Sequence, residues 1–236
     1  MSITVYWSFD ILANEEGYRV DDPVDISKKF LTDSVPYGSP YAICPSTKDH
    51  LKNLYGLKPI YDVRFQFDVK NSKVNIENSK IHLQDKLLVR SFSEKLFSFP
   101  LEFVFFTDQK TLEIEMVPAY LEDNDVVNKT IMIPGKFDIG KWIRPLDFSF
   151  HLKKNCYDDI LSFKRTDIIS YVHFKTHEKL KFKFFHFTPD LKNLINNLLA
   201  TRNNKNKFYN LQWFYDIFNK RGFKQKILKE IKRNTI

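Results

Sequence analysis

The sequence predicts a mainly β protein (α+β), an antiparallel β-sandwich or jelly-roll-like body with a C-terminal helical appendage. Three observations lead to this prediction. Apolar and polar residues alternate with a period of two through most of the chain, which is typical of half-buried strands. The 236 residues include 23 Phe and 11 Tyr but 6 Gly, a composition that favours aromatic-filled sheets. After residue 188 the apolar period changes to that of a helix.

The alternation is clearest in three segments, 63–69, 111–117 and 146–152. In the first of these, Val63 and Phe65 fall on one face of a strand, whereas the polar residues between them fall on the other. Further strands are predicted at 3–7, 101–106, 130–133, 167–174 and 179–187. Since few helical segments separate these strands, a sandwich or barrel is favoured over βαβ units.

Helices are predicted within this body and after it. One short helix is expected to begin at Asp22-Pro23 and another within 44–55. Thr188 and Pro189 have the residue types of an N-cap and a first helical position, and leucine and isoleucine recur at helical spacing after them. Two more helices are predicted on either side of Gly222.

Charge is distributed unevenly along the chain. Residues 1–190 hold 26 Lys and Arg against 27 Asp and Glu, whereas residues 191–236 hold 11 against 2. This break predicts a body over 1–188 and a basic C-terminal helical appendage over 189–236. The cations predicted to form the basic surface of the appendage are Lys220, Arg221, Lys224, Lys226, Lys229, Lys232 and Arg233.

A basic surface of this kind suits an acidic partner. Clustered Lys and Arg displace counterions from nucleic-acid phosphates, and they also attract acidic proteins and anionic membrane surfaces. The alternative is a solvated basic face without a partner. Because the aromatic residues of the appendage recur at helical core spacing, they are expected to pack on the sheet rather than stack on bases. A protein or other acidic partner is therefore expected ahead of a small molecule, with nucleic acid as a further alternative.

Several classes of protein are excluded or disfavoured by absent patterns. No segment approaches the roughly 20 apolar residues that span a bilayer, and the first residues lack the basic region of a secretory signal. The chain is therefore expected to remain in a cytoplasm, with Cys44 and Cys156 as reduced thiols. No nucleophile-elbow, HExxH, CxxC or glycine-rich phosphate motif is present. No cofactor is predicted, and a non-enzymatic protein is favoured.

The histidines provide the enzymatic alternative. His151, His173 and His186 lie on or beside predicted strands, and convergent imidazoles inside a jelly roll are a common container for a non-haem metal. The spacing matches no recognisable ligand order. The sequence therefore leaves a small jelly-roll, metal-dependent oxygenase-like enzyme as the second hypothesis.

The segment 135–145 is the most distinctive candidate contact region. Pro134-Gly135 and Gly140 predict a loop that carries Lys141, Trp142 and Arg144. An exposed Trp beside an Arg is a favourable anchor for a ligand or partner. The same residues would also form a structural corner in which Trp142 is buried and Arg144 pairs with Asp138 or Asp147.

Three motifs carry a resemblance to a known group of proteins. They are "CPSTKDHLKNLYGLKPIYD" (44–62), "MVPAYLEDND" (116–125) and "GKFDIGKWIRPLDFSFHL" (135–152), followed by a tail ending in "ILKEIKRN". Together they resemble an uncharacterised protein family of T4-like tailed phages of marine bacteria. The pattern from "GKWIRPLDFSFHL" to "ILSFKRTDIISYVHF" is more remotely similar to a bacterial domain-of-unknown-function family. The resemblance spans about residues 3 to 233 and implies a viral origin, in the host cytoplasm or the virion, but no activity.

The function expected from these observations is that of a phage-encoded, non-enzymatic binding module. It would act as a virion or assembly component or as a modifier of host machinery. Its expected contact surfaces are the loop with Asp138, Lys141, Trp142 and Arg144 and the basic tail. The metal-dependent enzyme and nucleic-acid binding through the tail are the alternatives.

Overall fold

The structure is a computed structural model that describes residues 2–9, 21–31, 44–77, 88–154, 160–205, 211–220 and 222–236. The fold class is as predicted, since strands form most of the body and the C-terminal segment is helical. The strands are Ser2–Phe9 (β1), Val24–Asp25 (β2), Leu54–Leu57 (β3), Val63–Asp68 (β4), Lys73–Glu77 (β5), Leu88–Ser91 (β6), Leu96–Thr107 (β7), Glu113–Pro118 (β8), Thr130–Ile133 (β9), Gly135–Asp138 (β10), Pro145–Leu152 (β11), Ile160–Phe163 (β12), Ser170–Phe174 (β13) and Lys179–Phe184 (β14).

These strands form three sheets. The six-stranded sheet has the order β14-β1-β7-β11-β9, with β6 paired to part of β7. The five-stranded sheet has the order β10-β8-β13-β3-β2, and the three-stranded sheet has the order β12-β4-β5. Pairing is antiparallel except between β1 and β14, which run parallel with Ser2 opposite Lys179.

Aromatic side chains fill the space between the sheets. Phe105 of the six-stranded sheet lies 5.5 Å from Phe174 of the five-stranded sheet, measured between ring centroids. Phe97 lies 5.2 Å from Phe65 of the three-stranded sheet. All four side chains are 0 or 1% exposed. The six-stranded sheet is therefore one layer of a sandwich, and the two smaller sheets form the opposite layer.

Three short helices connect strands, namely Ile26–Lys29 (α1), Pro45–Leu51 (α2) and Asp125–Lys129 (α3). The first two confirm the predicted short helices, although α1 is capped by Asp25 rather than by Asp22. The third, α3, was not predicted from the sequence. The Asn124 side chain accepts a hydrogen bond from the Val127 backbone and caps this helix.

Three longer helices form the C-terminal segment, Pro189–Lys205 (α4), Leu211–Lys220 (α5) and Phe223–Arg233 (α6). They cover the outer face of the six-stranded sheet at its β14-β1-β7 end. Phe218 of α5 is fully buried and lies 6.0 Å from Phe106 of β7. The side chains of Ile227 and Ile231 from α6 belong to the same core cluster. The division at residues 188 and 189 stays a prediction, although the helices share the core of the body.

The last residues of the chain also join the sheet region. Thr235 forms an antiparallel bridge with Phe185, and the Ile236 N–H donates to the Phe184 carbonyl at 3.0 Å. These contacts fix the C-terminal end of α6 beside β14. None of the described helices is both long and apolar enough to cross a bilayer.

One part of the predicted fold is wrong. Residues 135–145 are not a single loop, because Gly135–Asp138 forms β10 and pairs with β8. Phe137 alternates with polar neighbours and is buried opposite Ile114. The turn is therefore confined to the residues after Asp138.

Candidate functional site

A row of three lysines lies along β14. Phe182 and Phe184 point into the sandwich, where Phe182 meets Tyr55 and Phe184 meets Trp7 at centroid distances of 4.5 and 5.1 Å. Because side chains alternate along a strand, Lys181 and Lys183 must project from the opposite face. Lys179 continues the same row. No acidic residue interrupts the segment 179–187.

Helix α6 adds a second group of cations. Its apolar stripe, which includes Ile227 and Ile231, faces the sheet. Lys226, Lys229 and Arg233 lie on the other side of the helix and are exposed. Glu230, the acidic residue of this helix, is engaged by the Thr188 hydroxyl and by the Asn234 amide.

The two groups of cations meet at Tyr6 of β1. Tyr6 is paired in register with Lys183 and therefore lies on the same face of the sheet. Burial raises the pKa of Tyr6, and the nearby Lys232 ammonium of α6 offsets part of that rise. Lys232 is itself exposed and lies 3.4 Å from the Asp108 carboxylate. Lys183 of the β14 row and Lys232 of α6 thus both border Tyr6.

Two of the predicted basic residues cannot be placed on this surface. Arg221 lies outside the described residues, as does the side chain of Lys220. The remaining predicted members, apart from Lys224, are exposed as expected.

Lys224 corrects the prediction that every tail cation faces solvent. It is 9% exposed, and its ammonium donates to the Gln109 carbonyl and, at 2.6 Å, to the Gly140 carbonyl. The ammonium also lies 5.9 Å from the centre of the Phe106 ring. Burial lowers the pKa of Lys224, while Asp138 and Asp108 partly offset this effect. Lys224 therefore fastens α6 to two turns of the body.

Trp142 occupies the structural corner rather than an exposed contact site. It is 2% exposed, and its ring lies 5.4 Å from Phe218 and 6.0 Å from Tyr215 of α5. A partner cannot reach this indole without displacing α5. Of the two alternatives predicted for this segment, the geometry therefore favours the corner.

Asp138 organises the turn that follows β10. Its carboxylate accepts hydrogen bonds from the Thr111 hydroxyl at 2.5 Å, the Leu112 N–H at 3.0 Å and the Gly140 N–H at 2.9 Å. It also pairs with the Lys141 ammonium at 3.1 Å. Burial would raise the pKa of Asp138, but these donors together lower it. Lys141, and not the predicted Arg144, is thus the ion-pair partner of Asp138.

Arg144 lies over an aromatic ring instead. Its guanidinium carbon is 5.1 Å from the centre of the Phe137 ring, and its Nε is buried with no hydrogen-bond partner among the described residues. Burial raises the pKa of Asp147, and the nearby charges of Arg144 and Arg90 offset part of that rise. Arg144 is therefore part of the corner and not a free anchor.

The three candidate histidines lie on different elements. His151 is on β11 between Leu96 and Ile131 of the neighbouring strands. His173 is on β13 of the five-stranded sheet, where Lys175 Nζ approaches its Nδ1 at 3.1 Å. Burial lowers the pKa of His173, and Lys175 lowers it further. His186 follows β14, and its backbone N–H donates to the Asn234 carbonyl at 2.9 Å.

The acidic and thiol side chains that the structure describes add no ligands to these histidines. Within the described ranges, no group of three or more His, Cys, Asp or Glu side chains is placed to hold a metal ion. His82 and Cys156 lie outside these ranges. The metal-dependent enzyme gains no support from the placed histidines.

A cleft of about 620 Å³ lies beside α1 and is lined by Lys29, Lys58, Glu122, Asn124 and Ile168, among others. Two of its charged groups pair with each other, and Lys58 pairs with Asp21 nearby. Glu122 pairs with the Lys29 ammonium at 2.7 Å and accepts a hydrogen bond from the Tyr171 hydroxyl at 3.1 Å. Burial, followed by the charge of Glu122, raises the pKa of Tyr171. These contacts stabilise the rim of the cleft, and they use groups that would otherwise be available to bind a ligand.

The lysine row of β14 was missed as part of a site by sequence reasoning. The signal was present in "KLKFKFF", whose alternation places three lysines on one face. The segment was interpreted as an ordinary strand because its place at the sheet edge next to α6 depends on contacts between distant parts of the chain.

Comparison of the chain with protein-family models, with curated proteins and with solved structures finds no match in any of the three.

Proposed function

We propose that this protein is a non-enzymatic binding module that holds an acidic partner against the basic surface of β14 and α6. The observation that carries the proposal is that the lysine row of β14 and the cations of α6 both reach Tyr6. Lys179 and Lys181 of β14 are exposed, as are Lys226, Lys229 and Arg233 of α6. Glu230, the acidic residue of α6, is already engaged by hydrogen bonds.

A rigid support strengthens this proposal. The cations of α6 project from a helix whose opposite side is anchored by Lys224 and by buried Ile227 and Ile231. The lysines of β14 project from a strand that pairs with β1 over six positions. Because the backbone beneath both groups is fixed by packing, a partner need not order it on binding.

The setting of this function follows from the resemblance alone. A phage protein in the host cytoplasm or the virion would meet acidic partners in host proteins, in other virion proteins and in nucleic acid. A role as a virion or assembly component, or as a modifier of host machinery, is proposed on that basis.

The proposal is tested by charge reversal with a matched control. A variant with Lys226→Glu, Lys229→Glu and Arg233→Glu alters the proposed surface, and one with Lys48→Glu, Lys70→Glu and Lys73→Glu alters three exposed lysines elsewhere. Both variants change the net charge equally. Binding to three polyanions, namely heparin, polyglutamate and duplex DNA, is measured by salt elution or anisotropy. The first variant should bind at least tenfold more weakly than the second, whereas equal losses would refute a specific surface.

A further inference from the structure

We infer that the acidic partner of this surface is the phosphodiester backbone of a double-stranded nucleic acid, held without reference to base sequence. This inference rests on the proposed function and adds the chemical class of the partner. It depends on the geometry of the lysine row, on the residue types of the surface and on the placement of aromatic side chains.

The lysine row of β14 has the repeat that a phosphate backbone requires. Lys179, Lys181 and Lys183 occupy every second position of a strand, so their Cα atoms are spaced by about 6.6 Å, twice the rise per residue. This spacing is similar to the separation of successive phosphates along one nucleic-acid strand. Every nucleic-acid strand carries this period of charge along its whole length, whereas a protein carries it only where Asp or Glu occupy alternate positions of a strand.

The residue types suit phosphate contact more than base recognition. Apart from Lys183, which is half-buried, the cations of the surface are exposed. Five of these exposed cations are lysines and the sixth is Arg233. Lysine is a flexible point charge that binds phosphate, whereas base edges are read by bidentate side chains such as arginine. Contacts to phosphate position a protein on the duplex but carry no sequence information.

Aromatic placement favours a duplex over a single strand. Proteins that hold single strands stack bases on exposed aromatic rings. Among the described residues, Tyr120 is the exposed large aromatic side chain, and it lies against His50 and Tyr171 near the five-stranded sheet. The aromatic residues nearest the basic surface, including Phe184, Tyr215 and Phe223, pack against the core.

The test compares probes and variants by fluorescence anisotropy over a range of salt concentrations. The probes are a short mixed-sequence DNA duplex, one of its single strands, and polyglutamate of similar charge. The variants are the full chain with Lys179→Gln, Lys181→Gln and Lys183→Gln, and a control with Lys48→Gln, Lys70→Gln and Lys73→Gln. Circular dichroism and thermal melting establish that both variants are folded.

The inference expects the duplex to bind more tightly than either other probe, with little change when its sequence is scrambled. The slope of log affinity against log salt should decrease by about 0.9 for each phosphate contact removed by the β14 substitutions. The control should keep the wild-type slope.

Each other outcome is informative. Tighter binding of polyglutamate than of the duplex would overturn the nucleic-acid inference and leave the proposed function in place. Tighter binding of the single strand, or a wild-type slope in the β14 variant, would also overturn the inference. Failure to bind any polyanion would overturn the inference together with the proposed function.

Discussion

Helix α6 uses the same residue type in opposite ways on its two sides. On the inner side, Lys224 is buried and donates to two backbone carbonyls of the body. On the outer side, Lys226 and Lys229 are exposed. The comparison shows that position relative to the apolar stripe, rather than charge, separates a structural lysine from one available to a partner.

The largest expected effect is at the buried aromatic contact between Trp142 and helix α5. Trp142→Ala removes a buried indole and leaves a cavity against Phe218 and Tyr215. The free energy of unfolding should fall by about 3–5 kcal/mol, as measured by urea denaturation. Lys141→Ala, in the same turn but half-exposed, should cost about 1 kcal/mol or less. Similar losses in both variants would contradict the buried corner.

The next effect separates the two sides of α6 directly. Lys224→Ala leaves the Gln109 and Gly140 carbonyls without this donor, and the loss should be about 1–3 kcal/mol. Lys226→Ala, at an exposed position two residues further on, should change stability by no more than about 0.5 kcal/mol. The distinction between the sides fails if the two variants unfold at the same urea concentration.

A third prediction concerns Asp138 and its dependence on pH. The pKa of this carboxyl is lowered below 3.8 in the folded protein, so the folded state favours the ionised form. The resulting stability is fully present above the unfolded pKa and is lost as pH falls through the lower folded value.

Asp138→Asn tests this expectation. The substitution should reduce the free energy of unfolding by about 1–3 kcal/mol at neutral pH, since it weakens several hydrogen bonds to a charged acceptor. The difference from the wild type should shrink as the pH falls below about 4, which denaturation at several pH values would measure. A difference that stays constant with pH would show that the charge of Asp138 does not contribute.

The smallest effect on stability is expected on the outer side. Lys229→Gln should leave the unfolding midpoint within the change expected for about 0.5 kcal/mol. The same variant should bind a DNA duplex more weakly, with a slope against log salt reduced by about 0.9. A loss of stability without a loss of binding would assign Lys229 to the structural group.

Much of the fold could be predicted from the sequence because alternation reports burial directly. Phe65 and Phe67 in β4, and Phe148 and Phe150 in β11, are buried as their spacing predicts. The start of α4 at Pro189 was also predictable from local residue types. Such features depend on neighbours in the sequence, so the sequence contains the information needed to place them.

The candidate site was less predictable because it depends on contacts between distant segments. Trp142 is buried by residues of α5, and no local pattern in "GKWIRP" specifies them. The sequence does contain a partial indication that Lys224 points inward. Lys224 precedes Ile227 by three residues and Ile231 by seven, which is the spacing of one helix face. A cation on an apolar stripe could therefore have been recognised as a buried residue.

The parallel pair of β1 and β14 has a consequence for how the chain assembles. Ser2 lies opposite Lys179, so β1 obtains its second neighbour only after most of the chain has been synthesised. Contacts between such distant segments slow folding, because a long loop must close before they form. Until then, β1 presents one unpaired edge beside Trp7 and Phe9, and exposed apolar edges of this kind favour aggregation. A nascent chain would therefore benefit from a chaperone until β14 has been synthesised.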